Sequence, residues 1–293
     1  METQLLEAFV AVVNTGSFSA AADHQHLTQP AISKRIAQLE EHLNCRLFDR
    51  IGRNVNLTEA GTALLPRAQN LLRELNDTRQ HIRDLSGAIS GNLRLAISHH
   101  IGLHRLPLIL KAFTSEHPQV SLELDFMDSE LAYEAVRQGR FELAVITLAP
   151  QDHPKILATA VWRDPLQLVS AREHPLAILD RLSIDKLCTY PAILPGLNTY
   201  TGRMIKQFFD NNGKHLNATM ATNYLETIKM MVSVGLGWSM LPATMLDSTL
   251  VALECEKLSI ERSLGLIHHR DKTLSNAART FIELLQAEGD RSA

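Results

Sequence analysis

The run Thr28-Gln29-Pro30-Ala31-Ile32-Ser33-Lys34 carries the most specific chemistry in the chain. A glutamine amide can pair bidentately with adenine, and a serine hydroxyl can bond to either base type. The spacing predicts a helix from about Gln29 to Leu43. Thr28 is its N-cap, and Pro30 falls in the first turn, where a missing N–H costs nothing. Ile32, Ile36, Leu39 and Leu43 are spaced 4, 3 and 4 and form one apolar stripe. Pro30, Lys34, Ala37 and Gln38 then lie on the far side, with Gln29 and Ser33 flanking near the N-terminus. Short polar groups beside one lysine suit the floor of a nucleic-acid groove; a solvated helix face is the alternative.

Neighbouring elements must hold that helix in place. Leu5, Leu6, Phe9, Val12 and Val13 recur at helical spacing. Asn14-Thr15-Gly16 ends this first helix. Ser17 can cap a second, alanine-rich helix from Phe18 to about His24, and Gln25 to Leu27 make a turn. After Leu43 come Arg46 to Arg50, the turn Ile51-Gly52-Arg53-Asn54, and Val55 to Leu57, a short hairpin. Arg53 at its tip is placed to enter a minor groove and Arg50 to touch a phosphate. Ordinary exposed arginines are the alternative.

The segments Phe18-Ser19-Ala20-Ala21-Ala22, Thr28 to Ser33, Leu39-Glu40, Leu47-Phe48-Asp49-Arg50 and Thr58-Glu59-Ala60-Gly61 together resemble the winged helix-turn-helix of LysR-type transcriptional regulators. The resemblance implies that Gln29, Pro30, Ser33 and Lys34 face the major groove and that Arg53 enters the minor groove. Lys34 stands where that family often has arginine, which keeps the charge but loses the bidentate fork.

Thr58 can cap a following helix, with Pro66 in its second or third turn as a kink or offset start. Leu64, Ala68, Leu71, Leu75, Thr78, Ile82 and Leu85 are spaced 4, 3, 4, 3, 4 and 3. That period of about 3.5 favours a two-helix coiled coil. A second copy of the chain is the natural partner, and a homodimer would present two reading heads to a two-fold site in double-stranded promoter DNA. A helix lying on its own domain is the alternative.

Ser86-Gly87-Ala88-Ile89-Ser90-Gly91 reads as a small-residue hinge. Strands and helices alternate beyond it, which argues for a mostly parallel sheet. The expected organisation is a winged helix-turn-helix over 1–58, otherwise all-α, a linker helix and hinge over 59–90, and a two-lobed α/β effector-binding domain over 91–293. Phe113 to Pro118, His174-Pro175-Leu176-Ala177 and Gly235-Leu236-Gly237 with Leu241-Pro242 resemble signposts of the LysR effector domain. That resemblance implies a fold like the periplasmic solute-binding proteins. Crossovers are expected near Val161-Trp162-Arg163 and Leu264-Gly265-Leu266, with lobe I about 91–161 and 267–293 and lobe II about 162–266.

Ligands of open α/β sheets bind beyond the carboxyl ends of strands, near helix N-termini. Reading off those ends gives Ser98 to His100, Met127 to Ser129, Thr147, Pro195 to Thr201, Thr222 and Asn223. From these, Ser98, His99, His100, Ser129, Thr147, Asn198, Thr199, Thr201, Thr222 and Asn223 are the candidate effector contacts. Hydroxyls and amides dominate, which suits a small polar or anionic metabolite. Any one of these residues is, taken alone, more often an ordinary cap.

Composition sets bounds. The chain has 293 residues, 45% hydrophobic and 21% charged, with net charge -3, so bulk charge announces no nucleic-acid binder. No signal peptide or membrane span is read, and three scattered cysteines form no disulfide framework, which points to the cytoplasm. His99, His100 and His104 invite a metal, but no cysteine or acid sits at matching spacing, and none is expected. Catalytic and phosphate-loop motifs are missing, so no enzyme and no cofactor are expected. The favoured reading is a DNA-binding regulator controlled by a small-molecule effector. Tetramerisation is implied by the family resemblance, and RNA polymerase is a further candidate partner. A ligand-binding protein with a decayed head and an α/β enzyme with a regulatory head are the rivals.

Overall fold

The computed structural model describes residues 2–51, 54–256 and 258–292. Contacts divide it into two units, Met1–Ser86 and Gly87–Ala293.

In the first unit, helix α1 (Thr3–Thr15) buries Leu5, Leu6, Phe9 and Val12. Helix α2 (Phe18–His24) starts at Ser17, whose Oγ accepts the Ala20 N–H at 3.4 Å. Helix α3 (Gln29–Leu43) buries Ile32, Ile36 and Leu39. Leu43 is 38% exposed, so the apolar stripe stops one step short. His26 takes a positive φ of 54°, which turns the chain sharply between α2 and α3. Each large aliphatic or aromatic side chain buried here contributes about 1.5–3 kcal/mol.

Strands β1 (Phe48–Ile51) and β2 (Asn54–Leu57) pair antiparallel as a wing. The Glu40 carboxylate ties the end of α3 to it, accepting the N–H groups of Leu47 at 2.7 Å and Phe48 at 3.4 Å. The Phe48 ring lies 5.4 Å from Phe9 and 5.7 Å from Phe18. Helix α4 (Glu59–Asp84) is capped by Thr58 Oγ1, which accepts the Gly61 N–H at 3.0 Å and donates to the Arg46 carbonyl at 2.7 Å. A Cβ on Gly61 would sit 2.2 Å from the Leu47 carbonyl oxygen, so only glycine lets α4 approach the wing. Pro66 lies within α4, which runs on past it.

The second unit is built on a seven-stranded sheet. Its strands are β3 (Gly91–Ile97), β4 (Val120–Phe126), β5 (Leu143–Thr147), β6 (Ile156–Ala171), β9 (Ser239–Pro242), β10 (Leu250–Ala252) and β11 (Ile260–His269). In β3, Leu93, Leu95 and Ile97 point to one face and Ala96 to the other, the strand period of two. Helices α6 (Pro107–Glu116) and α11 (Asn276–Ser292) cover the first face through Ile109, Phe113, Phe281 and Leu285. Helix α7 (Ser129–Arg137) covers the second through Ala132, Ala135 and Val136.

The other lobe carries α8 (Ile184–Cys188), a two-stranded sheet of β7 (Ala192–Leu194) and β8 (Ala218–Ala221), α9 (Tyr200–Asn211) and α10 (Leu225–Ser233). Its core gathers Ile205 and Phe209 of α9 with Leu166 and Leu168 of β6 around Trp238, whose indole N–H donates to the Leu187 carbonyl at 3.1 Å.

The sheet is mixed rather than mostly parallel. β3 pairs parallel with β4 and β5, but β11 pairs antiparallel with β5 and β6, and β6 antiparallel with β9 and β10. β6 and β11 are the long strands shared by both lobes, and they run in opposite directions. Their register shifts between Leu264 and Gly265: Leu264 pairs with Trp162 and Gly265 with Ala160. A Cβ on Gly265 would lie 2.1 Å from the Thr159 carbonyl oxygen.

Candidate functional site

The first candidate site is the outer edge of α3. Thr28, Gln29, Pro30 and Lys34 are exposed and Ser33 is half-buried. Gln29 Nε2 donates to Ser33 Oγ at 2.9 Å, one helical turn away. Thr28 holds the N-cap position, but its hydroxyl makes no cap bond, which corrects the expected capping role. Arg35 is drawn off this edge: its guanidinium donates to Gln4 at 3.0 Å and Gln25 at 3.4 Å. Arg53 lies outside the described residues, and so does the side chain of Arg50. The backbone of Arg50 pairs with Val55 in the wing.

The second is a cleft between the lobes of the second unit. It gathers Ser98, His99, His100, Ser129, Thr147, Thr199, Thr201 and Asn223 of the sequence-derived set. Asn198 and Thr222 are outside the lining. Asn198 is exposed on the β7–α9 loop, and the Thr222 hydroxyl accepts the Tyr224 N–H at 3.4 Å, a local turn. Strand-end position alone could not separate these two from the rest.

Several members are already engaged. Ser129 Oγ accepts the Thr147 N–H at 3.1 Å. Thr199 Oγ1 caps α9, accepting the Gly202 N–H at 3.0 Å and donating to the Gly196 carbonyl at 2.7 Å. A Cβ on Gly202 would meet the Gly196 carbonyl oxygen at 2.2 Å, so glycine is required for α9 to start here. Thr201 Oγ1 accepts from Arg262 Nη1 at 3.0 Å.

Arg262, Glu130, Tyr200 and Asp128 also line the cleft. Arg262 is 6% exposed and pairs with Asp164, 1% exposed, at 2.7 Å. The Glu130 carboxylate accepts the Tyr200 N–H at the N-terminus of α9, with Arg203 at 3.9 Å. Burial pushes the Glu130 carboxyl above its ordinary value, although its own backbone and Tyr200 hydrogen bonds oppose the rise. Asn223 Nδ2 donates to Asp128 Oδ2 at 2.6 Å, joining the lobes. Arg262 lies near the start of β11, away from its carboxyl end, so it falls outside the strand ends from which candidates are read. Asp128 belongs to the same strand end as Ser129, and Glu130 is the next residue, in the first turn of α7.

His99 and His100 occupy the first turn of a short helix, α5 (His99–His104), rather than the end of a strand. Helical geometry brings His100 and His104 together, ring centroids 4.7 Å apart. The His99 ring lies 4.7 Å from Tyr224 of the other lobe. His100 is 6% exposed, and neither ring nitrogen has a partner. Its pKa is pushed down to about 3, by burial first and then by Arg262, His104 and Arg105, so the ring is neutral. Among the described residues no single helix is long and apolar enough to cross a membrane.

Comparison with known proteins matches both units. Residues 3–62 match the family of bacterial regulatory helix-turn-helix proteins of the lysR type, and residues 86–290 match the LysR substrate binding domain. The HTH-type transcriptional activator CmpR of Synechocystis sp. is 30% identical over 289 residues, covering 97% of this chain and 94% of that protein. An uncharacterised HTH-type regulator from the ibpB-leuC intergenic region of Azotobacter vinelandii is 63% identical over 107 residues, 36% of this chain and 74% of that protein. The full-length CbnR crystal structure in complex with its target DNA shares the fold, with a TM-score of 0.74 at 22% identity and complete coverage of both chains. The chain thus belongs to the LysR family: it is a DNA-binding transcriptional regulator with a helix-turn-helix head and an effector-binding domain, and not an enzyme.

Proposed function

We propose that the chain works as a cytoplasmic homodimer whose α3 helices enter successive major grooves of a promoter, under the control of a small polar or anionic effector in the interlobe cleft. Base reading is given to Gln29 and Ser33, with Thr28, Pro30 and Lys34 along the same edge. Arg50 and Arg53 of the wing take the phosphate and minor-groove contacts. The observation that carries this reading is the exposed, polar edge of α3 opposite its buried Ile32–Ile36–Leu39 stripe. Complementary support comes from CbnR, a protein of the same fold that has been crystallised with target DNA.

Dimerisation is assigned to α4. Leu71, Ile82 and Leu85 are 52%, 62% and 74% exposed, an apolar series that a single copy leaves in water. Leu64 and Ala68 pack instead on the head's own core, so the seam is assigned to Leu71 onward. Assembly of dimers into a tetramer through the second unit, and contact with RNA polymerase, extend the same reading. Lobe boundaries are placed near Val161 and Leu266, beside the register shift.

The effector seat is assigned to Ser98, His99, His100, Ser129, Thr147, Thr199, Thr201 and Asn223, with Asn198 and Thr222 on its margin. A carboxylate already holds the α9 N-terminus, which favours an anion there. An effector acid would compete with Glu130 for that position. Mobility-shift titration on the chain's own upstream region tests the DNA reading. A thermal-shift screen of small organic acids, comparing the native chain with Thr201→Val, tests the seat.

A further inference from the structure

We propose that His100, His104 and Glu226 form a site for a divalent transition ion of the zinc class, which clasps the two lobes together. The site goes beyond the effector seat: it shares His100 with that seat and adds His104 and Glu226, which lie outside it. His100 and His104 stand at i and i+4 on α5, so both rings project from one helix face. Glu226 comes from the first turn of α10 in the other lobe, 122 residues further on from His104. His104 Nε2 is 3.0 Å from Glu226 Oε1, and the donor atoms of all three residues lie within 4.8 Å of one another.

Two histidine nitrogens and one carboxylate oxygen are a common zinc donor set, with a fourth position left for water or a ligand oxygen. Metal–donor bonds of about 2.0–2.2 Å would draw the donors to roughly 3.5 Å apart. That requires only a small swing of the two partly exposed side chains, His104 and Glu226. His100 supplies the independent observation. It is buried, and both ring nitrogens lack a hydrogen-bond partner, so a donor atom within 4.8 Å of the other two is left unused. Leaving a buried imidazole unbonded is costly, and a metal ion would satisfy it. Imidazole donors select late first-row ions over calcium and magnesium.

The charges nearby do not forbid a cation. Arg262 and Arg105 both act on His100, but both face the Asp164 carboxylate, at 2.7 and 3.7 Å. Glu226 adds a further negative charge at the site. An ion bound here joins α5 to α10 and so favours the closed arrangement of the lobes. Effector and metal affinities are then coupled reciprocally.

The test is a cobalt(II) titration of untagged, chelator-stripped full-length chain, followed by visible absorption and calorimetry, then displacement with zinc chloride. One cobalt per chain with an intense tetrahedral spectrum, displaced by zinc, is expected. His104→Ala and Glu226→Gln, both at partly exposed positions, should each weaken binding by about tenfold or more. A circular-dichroism melt matching the native chain establishes that each variant is folded. Neither readout requires DNA or effector, so failure of the regulatory reading would leave it unaffected. Absence of stoichiometric binding overturns the site. So does binding by folded His104→Ala and Glu226→Gln that equals the native chain.

Discussion

Gln29 Nε2 donates to Ser33 Oγ at 2.9 Å along the exposed edge of α3. The bond sets the amide plane and ties together the two side chains best suited to reading base edges. It also means that either residue, once removed, leaves the other free to rotate. Gln29→Ala and Ser33→Ala should each reduce discrimination between matched and mismatched sites by about 1–3 kcal/mol. Non-specific affinity and its salt dependence should barely change, because phosphate contacts supply them. Competition binding across single-base operator variants measures this. Unchanged preference in both variants would remove α3 from base reading.

The exposed seam of α4 makes a second prediction. Leu71→Asp combined with Leu75→Asp places like charges along the proposed dimer interface, where two copies would bury them. Sedimentation velocity should show loss of the dimer, and operator affinity should fall as the two heads separate. Unaltered assembly would assign dimerisation elsewhere.

Gly265 is pressed against the strand beside it where the register of β6 and β11 shifts. Gly265→Ala brings a methyl to 2.1 Å from the Thr159 carbonyl oxygen. Backbone must move, and a loss of about 1–3 kcal/mol is expected. Differential scanning calorimetry should show a lower melting temperature. A neutral substitution would mean that the crossing strands tolerate separation at that point.

Acid sensitivity should come in part from His174. Its ring is buried, and Nδ1 accepts the Leu176 N–H at 3.2 Å. Burial lowers its pKa below the ordinary 6.5, so the folded state holds the neutral ring while the unfolded chain takes up a proton. Stability from this group is therefore full above pH 6.5 and is lost as pH falls through the window beneath it. His174→Gln should flatten the loss of melting temperature in that window, with a modest loss at neutral pH. An unchanged slope would show that other groups govern acid unfolding.

The buried pair of Arg262 and Asp164 makes a further prediction. Arg262→Ala leaves the Asp164 carboxylate, 1% exposed, with only the more distant Arg105 at 3.7 Å. A cost of about 3–5 kcal/mol is expected. The double variant Arg262→Met with Asp164→Leu should recover much of it. Denaturant titration of both variants measures the difference, and equal losses would argue against charge isolation as the cause.

The head was legible from its residues because its signals are local. Ser17 and Thr58 cap the helices they were expected to cap, and Ile32, Ile36 and Leu39 are the buried stripe of α3. The long strands were harder to see. Proline is rare inside a paired strand, yet Pro165 sits within β6 opposite Glu261. Its ring takes away one N–H, while its neighbours keep the ladder. That hid the first half of β6 and, with it, the antiparallel frame of the sheet.

In the cleft, hydroxyls at strand ends were readable as a set. Partners distant in sequence were not. Glu226 meets His104 across the lobes, so the spacing argument against an acidic neighbour of the histidines found none along the chain. In the same way Leu64 and Ala68 fit the heptad of α4, but the head's own core claims them. Periodicity reports which face is apolar, not which surface covers it.

The central claim is that a pair of α3 helices reads duplex DNA. Binding of the full-length chain to its own upstream region, against a scrambled duplex of equal length, should be measured from low to physiological salt. Specific binding by a dimer is predicted, with log affinity falling linearly against log salt by about 0.9 per phosphate contacted. Equal affinity for both duplexes, or binding by a single chain, would contradict the account.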